Sequence, residues 1–271
     1  ERYTNADYFL LLKVLFIHVF AAHRGNGEYI KPTGVISLPI SQYNNDDTVG
    51  EIRTTLCSKM TLVDMDGCEL RVEIQDKRLV IVPESYGALM HYAYDLKTGK
   101  KRATADTSGS TLVIDIGYET TDVSLFEGLK YQRDQSYTIQ RAGMGIVARA
   151  IHDYVDKAVK GADVSRIDRE LQAIAGVAIG APKVIQPLPG VTVDVTEVYD
   201  SEIVDLGTRI AQGVATNTSQ DVNRILLAGG GDYHLSRVID DQLTGEIAST
   251  PDPDVANVLG TFTMLQIQAR G

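Results

Sequence analysis

The chain has 271 residues, 44% hydrophobic and 23% charged, so it can bury a sizeable core, and neither disorder nor a fibrous repeat fits this composition. Its formal net charge of -10 argues against a broad non-specific nucleic-acid surface. Cys57 and Cys68 are too few for a disulfide framework and lack metal-ligand spacing, which indicates two reduced thiols in a cytoplasmic protein.

The first part of the chain alternates predicted helices and strands. The apolar run "YFLLLKVLFIHVFAA" is interrupted by Lys13 and His18 and is shorter than a membrane span, which favours a buried or amphipathic helix over 5–22. A strand is predicted over 33–40, followed by a helix over "DDTVGEIRTTLCSKM". Strands in "ELRVEIQ" and "RLVIVPES" then precede a helix over "ESYGALMHYAYDL".

The second part begins after a polar loop at 97–110, which we interpret as a boundary between lobes. Three strands joined by short connections, "TLVIDI", "TDVSLFE" and "KYQRDQSYTIQ", predict a meander. Helices are predicted over "GMGIVARAIHDYVDKAV", near 166–175 and over 197–218, with a strand at 190–195. A strand in "ILLAGGG" and a final helix close the chain. This order predicts an α/β fold with mixed sheets.

The hairpin "DIGYETTD" carries the strongest chemical pattern. A buried β-branched run delivers Asp115 to the sheet edge, and Gly117 lets backbone N–H groups approach an anion closely. Thr120 and Thr121 add hydroxyl donors. The carboxylate fits beside a phosphate if it holds Mg²⁺ through water. An ordinary turn of Asp, Gly and Thr is the alternative.

Two further segments carry weaker patterns. The glycines that follow the strand "ILLA" permit close contact between backbone and a flat or charged ligand, and a flexible turn is the alternative. Glu84 follows a buried strand at the start of a helix, where it could orient a water for attack on a phosphoryl group. The helix macrodipole favours an acid at this position without any function.

Together, in this order, the segments resemble the actin-like ATPase superfamily, and more closely its ParM-like and archaeal actin-like members. "DIGYETTD" is similar to the family's phosphate hairpin D-x-G-x-x-T-T-D, and "LLAGGGDYHL" to its adenosine motif. "PES" is similar to the segment that carries the glutamate for the hydrolytic water. "PDPDVANVLGTF" resembles the loop and helix that return to the first lobe.

The resemblance implies a two-lobed actin-like, ribonuclease H-like fold with mixed sheets flanked by helices. Residues 1–108 would form the remainder of the first lobe, 109–250 the second lobe, and 251–271 the returning helix. The Asp115 edge and the glycine segment are expected to face each other across a gap sized for a nucleoside triphosphate.

The resemblance also assigns roles to residues. Asp115 would hold Mg²⁺ through water, Gly117, Thr120 and Thr121 would touch phosphates, and Glu84 would be catalytic. Gly143 and Gly145 would lie beside the ribose, and a ribose-binding acid or lysine is expected on the helix from Glu197. The adenine and ribose would lie against the glycine segment, Gly229, Gly230 and Gly231.

ATP or GTP with Mg²⁺ is the implied cofactor, and self-assembly into filaments is the implied partnership. Members of this group segregate plasmids or DNA or organise the cytoskeleton. The resemblance therefore implies a DNA-binding adaptor protein as a possible partner, and no membrane partner is expected. The family's first phosphate hairpin has no counterpart before Glu84, so we expect the natural N-terminus to lie upstream of Glu1. A non-hydrolysing actin-fold structural or adaptor protein and a small-molecule kinase of the superfamily remain open.

Other motifs are weaker. "GMGIVA" satisfies a dinucleotide fingerprint, but the preceding "SYTIQR" is polar and no acid follows at the end of a next strand. "LKTGKKR" lacks the first glycine and the hydroxyl residue of a P-loop. The five histidines form no pair with metal-site spacing, which favours packing or surface roles.

Overall fold

A computed structural model of the protein describes residues 6–218 and 221–270. The chain divides into two compact units: the first comprises Glu1–Pro83 and Leu265–Gly271, and the second comprises Glu84–Met264. The sequence predicts a division at residue 108 and a return to the first lobe over 251–271, so the two divisions differ over 84–108 and over 251–264. The assignment of these residues to a functional lobe stays a prediction.

Among its described residues, the first unit contains two small sheets, three α-helices and the end of α9 (Ala256–Arg270), a helix that begins in the second unit. One sheet has the order β1-β4-β3, with β1 parallel and β3 antiparallel to β4, and the other is the parallel pair β2-β5. The strands are β1 (Tyr29–Ile30), β2 (Gly34–Leu38), β3 (Lys59–Val63), β4 (Glu69–Glu73) and β5 (Leu79–Pro83). The helices are α1 (Ala6–Val19), α2 (Ile40–Tyr43) and α3 (Asp46–Leu56).

Helix α3 is shorter than the sequence predicts. It begins where Asn45 accepts a hydrogen bond from the Thr48 N–H at 3.1 Å, and it ends at Leu56. The predicted helix continued through "SKM", but Lys59 and Met60 belong to β3, which pairs with β4 and buries Leu62. Tertiary pairing therefore outweighs the helical spacing at this end.

The second unit is built on a five-stranded sheet with the order β12-β11-β6-β7-β8. Strands β6, β7 and β8 form the predicted antiparallel meander, and β11 and β12 join it in parallel. These strands are β6 (Ser110–Ile116), β7 (Thr121–Glu127), β8 (Lys130–Ile139), β11 (Arg224–Ala228) and β12 (Glu246–Ser249).

A separate antiparallel pair consists of β9 (Val184–Leu188) and β10 (Val191–Asp194). The sequence analysis does not predict β9 and β12. Each is a short segment without a clear strand pattern of its own, and its pairing with β10 or β11 is visible only in the folded structure. The helices of this unit are α4 (Glu84–Ala93), α5 (Gly145–Ala158), α6 (Val164–Ala173), α7 (Thr196–Asn217), α8 (Asp232–Asp240) and the start of α9 (Ala256–Arg270).

The central strand β6 is buried on both faces, as its β-branched run predicts. Leu112, Ile114 and Ile116 belong to a large core that also contains side chains of α5, α7 and α8. Val113 belongs to a smaller core with side chains of α4 and Ala256 of α9. The mixed α/β organisation predicted from the sequence is therefore confirmed.

None of the helices in the described ranges combines the length and the apolar character that a membrane span requires.

Candidate functional site

The end of β6 carries two facing carboxylates. Asp115 pairs across the strands with Asp122, and both are buried, with 8% and 7% of their surface exposed. Thr138 donates a hydrogen bond to Oδ1 of Asp122 at 2.6 Å, and Nδ2 of Asn257 donates to Oδ2 of Asp115 at 2.6 Å. Each acid therefore has a polar partner in this unit.

Burial raises the pKa of Asp115 to about 6, although the Asn257 amide opposes this change and the charge of Asp122 adds to it. A carboxylate with a raised pKa is poorly solvated in its charged form. A cation beside Asp115 would stabilise that form, so the electrostatics suit a nearby positive charge.

The turn between β6 and β7 presents backbone donors. The Gly117 N–H donates to the Thr120 carbonyl at 3.0 Å, which closes the turn. Within the described chain, the N–H groups of Tyr118, Glu119 and Thr120 have no acceptor. Successive unpaired N–H groups of this kind form an anion-binding concavity.

Thr121 is fully buried, and its hydroxyl donates to the Ala142 carbonyl at 2.5 Å. Its side chain therefore joins the hairpin to the segment before α5. The predicted phosphate contact of this residue stays a prediction, and it would require the hydroxyl to exchange partners.

The glycine segment lies directly beside the hairpin. Strand β11 neighbours β6 with Ala228 opposite Asp115, and the Gly231 N–H donates to the Ile116 carbonyl at 3.0 Å. Gly229 has a φ of +81°, and a Cβ there would lie 2.5 Å from Oδ1 of Asp115. The expectation of two sheet edges across a gap is therefore wrong: the segments end adjacent strands of one sheet, and Gly229 makes room for Asp115.

Gly143 and Gly145 also contact the hairpin. Met144 and Gly145 donate backbone hydrogen bonds to the carbonyls of Gly117 and Tyr118 at 3.0 and 2.6 Å. A Cβ on Gly143 would lie 2.5 Å from the Tyr118 carbonyl carbon. These glycines let the start of α5 pack on the turn, and their predicted place beside a ribose stays a prediction.

A cavity of about 450 Å³ opens next to these segments within the second unit. Gly117 of the hairpin and Gly230 and Gly231 of the glycine segment line it, so residues of both motifs meet at one cavity. Its polar side chains are those of Tyr118, Asp168, Gln172, Tyr199, His234 and Asp254.

Asp168 and Gln172 were not identified from the sequence. The sequence analysis expects a ribose-binding acid or lysine on the helix from Glu197, now α7, which instead contributes Tyr199 to the cavity. The carboxylate and the amide come from α6. Its amphipathic pattern indicates a polar face, but only the tertiary structure shows that part of this face borders the cavity.

A buried polar chain includes Tyr199 and His234, two residues that line the cavity. The Lys183 ammonium is 2.6 Å from Oδ1 of Asp200 and 5.4 Å from the Tyr199 ring centroid, and the Tyr199 hydroxyl is 2.5 Å from Nδ1 of His234. Burial, with the charge of Asp200 adding to it, raises the pKa of Tyr199, so the phenol keeps its proton and donates. Burial lowers the pKa of His234 to about 4, so the ring is neutral with its proton on Nε2.

Glu84 is the first residue of α4, as predicted. The next residue, Ser85, is buried, and its hydroxyl lies 2.5 Å from the Ser124 hydroxyl of β7. Ser124 is two residues from Asp122 and therefore on the same face of the sheet. This contact brings the start of α4 to the face that carries Asp115, and the catalytic role of Glu84 stays a prediction.

The site suits a hydrated cation better than a fully protein-bound one. Over the ranges 6–218 and 221–270, no group of three His, Cys, Asp or Glu side chains could hold a metal ion. Beside Asp115, Oδ1 of Asn257 is buried and has no hydrogen-bond partner among the described residues. Mg²⁺ that keeps several waters would supply donors to such oxygens, so these residues fit the ion.

Residues 113–243 match the family model for the C-terminal domain of archaeal MreB-like actin homologues. This range lies within the second unit and contains the β6–β7 hairpin and the glycine segment. No curated protein sequence matches the chain.

Solved structures extend the similarity to nearly the whole chain. The archaeal actin homologue Ta0583 is 19% identical with a TM-score of 0.72, covering 98% of this chain and 77% of its own. The actin-like protein Alp7A is 15% identical with a TM-score of 0.70, covering 100% and 77%. ParM of Bacillus thuringiensis with ATP is 13% identical with a TM-score of 0.61, covering 96% and 73%. The actin-like fold that the resemblance implies is thereby confirmed.

Proposed function

We propose that this protein is an actin-like ATPase that binds Mg-ATP, or Mg-GTP, and assembles into nucleotide-dependent filaments. One observation carries the proposal: the hairpin turn and the glycine segment follow the adjacent strands β6 and β11 at the same end of the five-stranded sheet, where both line one cavity.

The chemistry of this edge supports the proposal. The turn offers N–H donors to phosphates, while Asp115 and Asn257 offer oxygens to the waters of a cation. The adjoining cavity of about 450 Å³ has the polar and aromatic lining that suits a nucleoside. Solved structures of the same fold include an ADP complex of Ta0583 and an ATP complex of ParM.

Within the proposal, Asp115 holds the hydrated cation, while Gly117, Thr120 and Thr121 lie against the phosphates. Glu84 orients and deprotonates the attacking water. Asp168, Gln172 and Tyr199 face the ribose or the base. Mg²⁺, when bound, would neutralise charge on the phosphates, while the residues named above would bind the nucleotide and orient the attacking water.

The proposal is tested by nucleotide titration and phosphate release. We expect the wild type to bind ATP with Mg²⁺ and to release phosphate slowly. Glu84→Gln should keep ATP affinity while slowing release by about a hundredfold or more, the usual contribution of a general base. Glu197→Gln is a matched control in the first turn of α7 and should change neither quantity. Unchanged phosphate release in Glu84→Gln would contradict the assignment.

The alternatives give different results in the same assay. A non-hydrolysing structural or adaptor protein would bind nucleotide, or fail to bind it, without releasing phosphate in either variant. A small-molecule kinase would release ADP only when an acceptor is added. Roles in plasmid or DNA segregation, with a DNA-binding adaptor as partner, belong to the filament form of the proposal.

A further inference from the structure

Asn257, near the start of α9, contacts the end of β6. Its Nδ2 donates to Oδ2 of Asp115 at 2.6 Å, although the two residues are 142 positions apart in the chain. An ionised carboxylate can only accept hydrogen bonds, so the amide nitrogen must be the atom that faces it. The contact therefore fixes the orientation of the amide as well as that of the acid.

The other end of this amide lacks a partner. Oδ1 of Asn257 is buried and accepts no hydrogen bond from any described residue. A buried acceptor without a donor is unfavourable, and such groups in folded proteins are generally satisfied by water or a ligand. The missing donor is thus expected beside Asp115.

The backbone at Asn257 is held tightly. A Cβ on Gly87 of α4 would lie 2.8 Å from the carbonyl carbon of Asn257, so the two helices meet at backbone contact. A Cβ on Gly260 would lie 2.6 Å from the carbonyl carbon of Gly87. The Thr261 hydroxyl also donates to the Asn257 carbonyl at 2.5 Å. This packing leaves the amide little freedom to find a donor elsewhere.

An ordinary helix-start role does not account for the side chain. Asparagine is common at the N-cap, where its oxygen accepts from the backbone N–H groups of the first turn. Here Asn257 is already the second residue of α9, and its amide donates to Asp115.

We propose that Asn257 is a positioning residue of the nucleotide site. Its Nδ2 holds the Asp115 carboxylate, and its Oδ1 accepts a hydrogen bond from a water that the hydrated Mg²⁺ carries. This inference rests on the proposed function, because it requires Mg-nucleotide at the hairpin. Under this proposal, α9 contributes to the gain in nucleotide affinity that Mg²⁺ provides.

The test compares ATP affinity in excess Mg²⁺ with ATP affinity in excess EDTA. Asn257→Leu keeps the branched shape of the side chain and removes both polar atoms, and Asn257→Ala is a second variant in case the larger leucine disturbs packing. Each should reduce the gain that Mg²⁺ gives to ATP affinity by roughly tenfold, the size expected for one hydrogen bond to a charged group. Affinity in EDTA should stay as in the wild type.

Val258→Ala is the matched control, since Val258 is the next residue of α9 and is 70% exposed. It should leave both affinities unchanged. A purely structural role of Asn257 would lower the melting temperature and both affinities together. A wild-type gain from Mg²⁺ in both Asn257 variants would overturn the inference while leaving the proposed function in place.

A different result would contradict the proposed function itself. A wild-type protein that binds no nucleotide removes both proposals, and one that binds ATP equally in both buffers removes the magnesium role of Asp115 and Asn257 alone.

Nuclear magnetic resonance gives a readout without turnover. The Asn257 amide signal, identified by its absence in Asn257→Leu, should shift when a non-hydrolysable ATP analogue is added with Mg²⁺. An unmoved signal overturns the inference.

Discussion

Buried ionisable side chains around the site have pKa values displaced in opposite directions. Burial raises the pKa of Asp115 and of Asp232 to about 6, and it lowers that of His234 to about 4. In each case burial favours the uncharged form, which moves the pKa of the acids up and that of the imidazole down. The stability of the protein therefore depends on pH in a way that differs from one residue to the next.

For His234, the unfolded chain binds a proton more readily than the folded one, so stability rises with pH across the window from about 4 to about 6.5. The acids act in the opposite sense, because their raised pKa values remove stability as the pH rises from about 4 to about 6. The measured free energy of unfolding contains both the histidine and the carboxyl contributions. A comparison of the wild type with one variant separates them.

We predict that His234→Gln reduces this pH dependence. Between about pH 7 and about pH 5, the wild type should lose about 2 kcal/mol relative to the variant, from a linkage slope of about 1.4 kcal/mol per pH unit. Urea unfolding of both proteins at several pH values gives the difference. Ser236→Ala, on the same helix, is the control and should differ from wild type by a constant amount. A constant difference for His234→Gln would contradict the buried neutral imidazole.

The sequence identified some of the site residues and could not identify others. Asp115, Gly117 and the three glycines are recognisable because each occurs in a short motif at the end of an apolar strand. Asn257 and Asp168 lie far from Asp115 in the chain, and the folded structure alone brings them to the same edge of the sheet. Their residue types are common on helices, so no local pattern distinguishes them.

Among the elements, the crossing of α4 and α9 illustrates what local patterns leave out. Gly87 and Gly260 both lie inside helices, where glycine is unfavourable relative to alanine by about 1 kcal/mol. The structure explains both, because a side chain on either would meet the backbone of the other helix. The local cost of glycine is offset by close packing between the helices.

We predict that Gly260→Ala destabilises the second unit by about 2 kcal/mol despite the gain in helix propensity, because its Cβ would lie 2.7 Å from the His91 backbone nitrogen. Gly50→Ala is the matched control within α3, where no atom lies within 4 Å of an added Cβ. It should stabilise its own unit by about 0.5 to 1 kcal/mol. Thermal unfolding, with hydrogen exchange of the α4 amides as a local readout, distinguishes the two. Equal effects would rule out backbone contact at the crossing.

Element boundaries show the same limit. The β6–β7–β8 meander was predicted because each strand has a strong apolar pattern and short connections to the next. The predicted end of α3 is wrong. The segment "SKM" continues the helical spacing of the sequence, but its Lys59 and Met60 form β3 because they pair with β4. β12 is short, and its register beside β11 comes from the folded sheet.

On the scale of the whole molecule, the fold was predicted from three motifs in the correct order rather than from overall similarity. Sequence identity to the solved structures quoted above is 13 to 19%, yet they cover 96 to 100% of this chain. Gly229 illustrates a motif residue that permits few substitutions, because an added Cβ would lie 2.8 Å from the Ile116 carbonyl carbon and 2.5 Å from Oδ1 of Asp115. Most other positions need only suitable size and polarity, so the fold is compatible with low overall identity.

Self-assembly is the last prediction, and it follows from the proposed ATPase. Filaments require a head-to-tail contact that does not close, and nucleotide state can control such a contact if bound Mg-ATP favours the assembling conformation. Light scattering should therefore rise after ATP is added with Mg²⁺ and decay as phosphate is released, while ADP should give little increase. Glu84→Gln should assemble normally and persist, because slower hydrolysis keeps ATP in the filament. Asp115→Ala should fail to assemble with Mg-ATP, and electron microscopy of the same samples identifies the particles. Scattering that is independent of nucleotide, or a monomer in all conditions by analytical ultracentrifugation, would contradict the filament model and favour a monomeric member of the same fold.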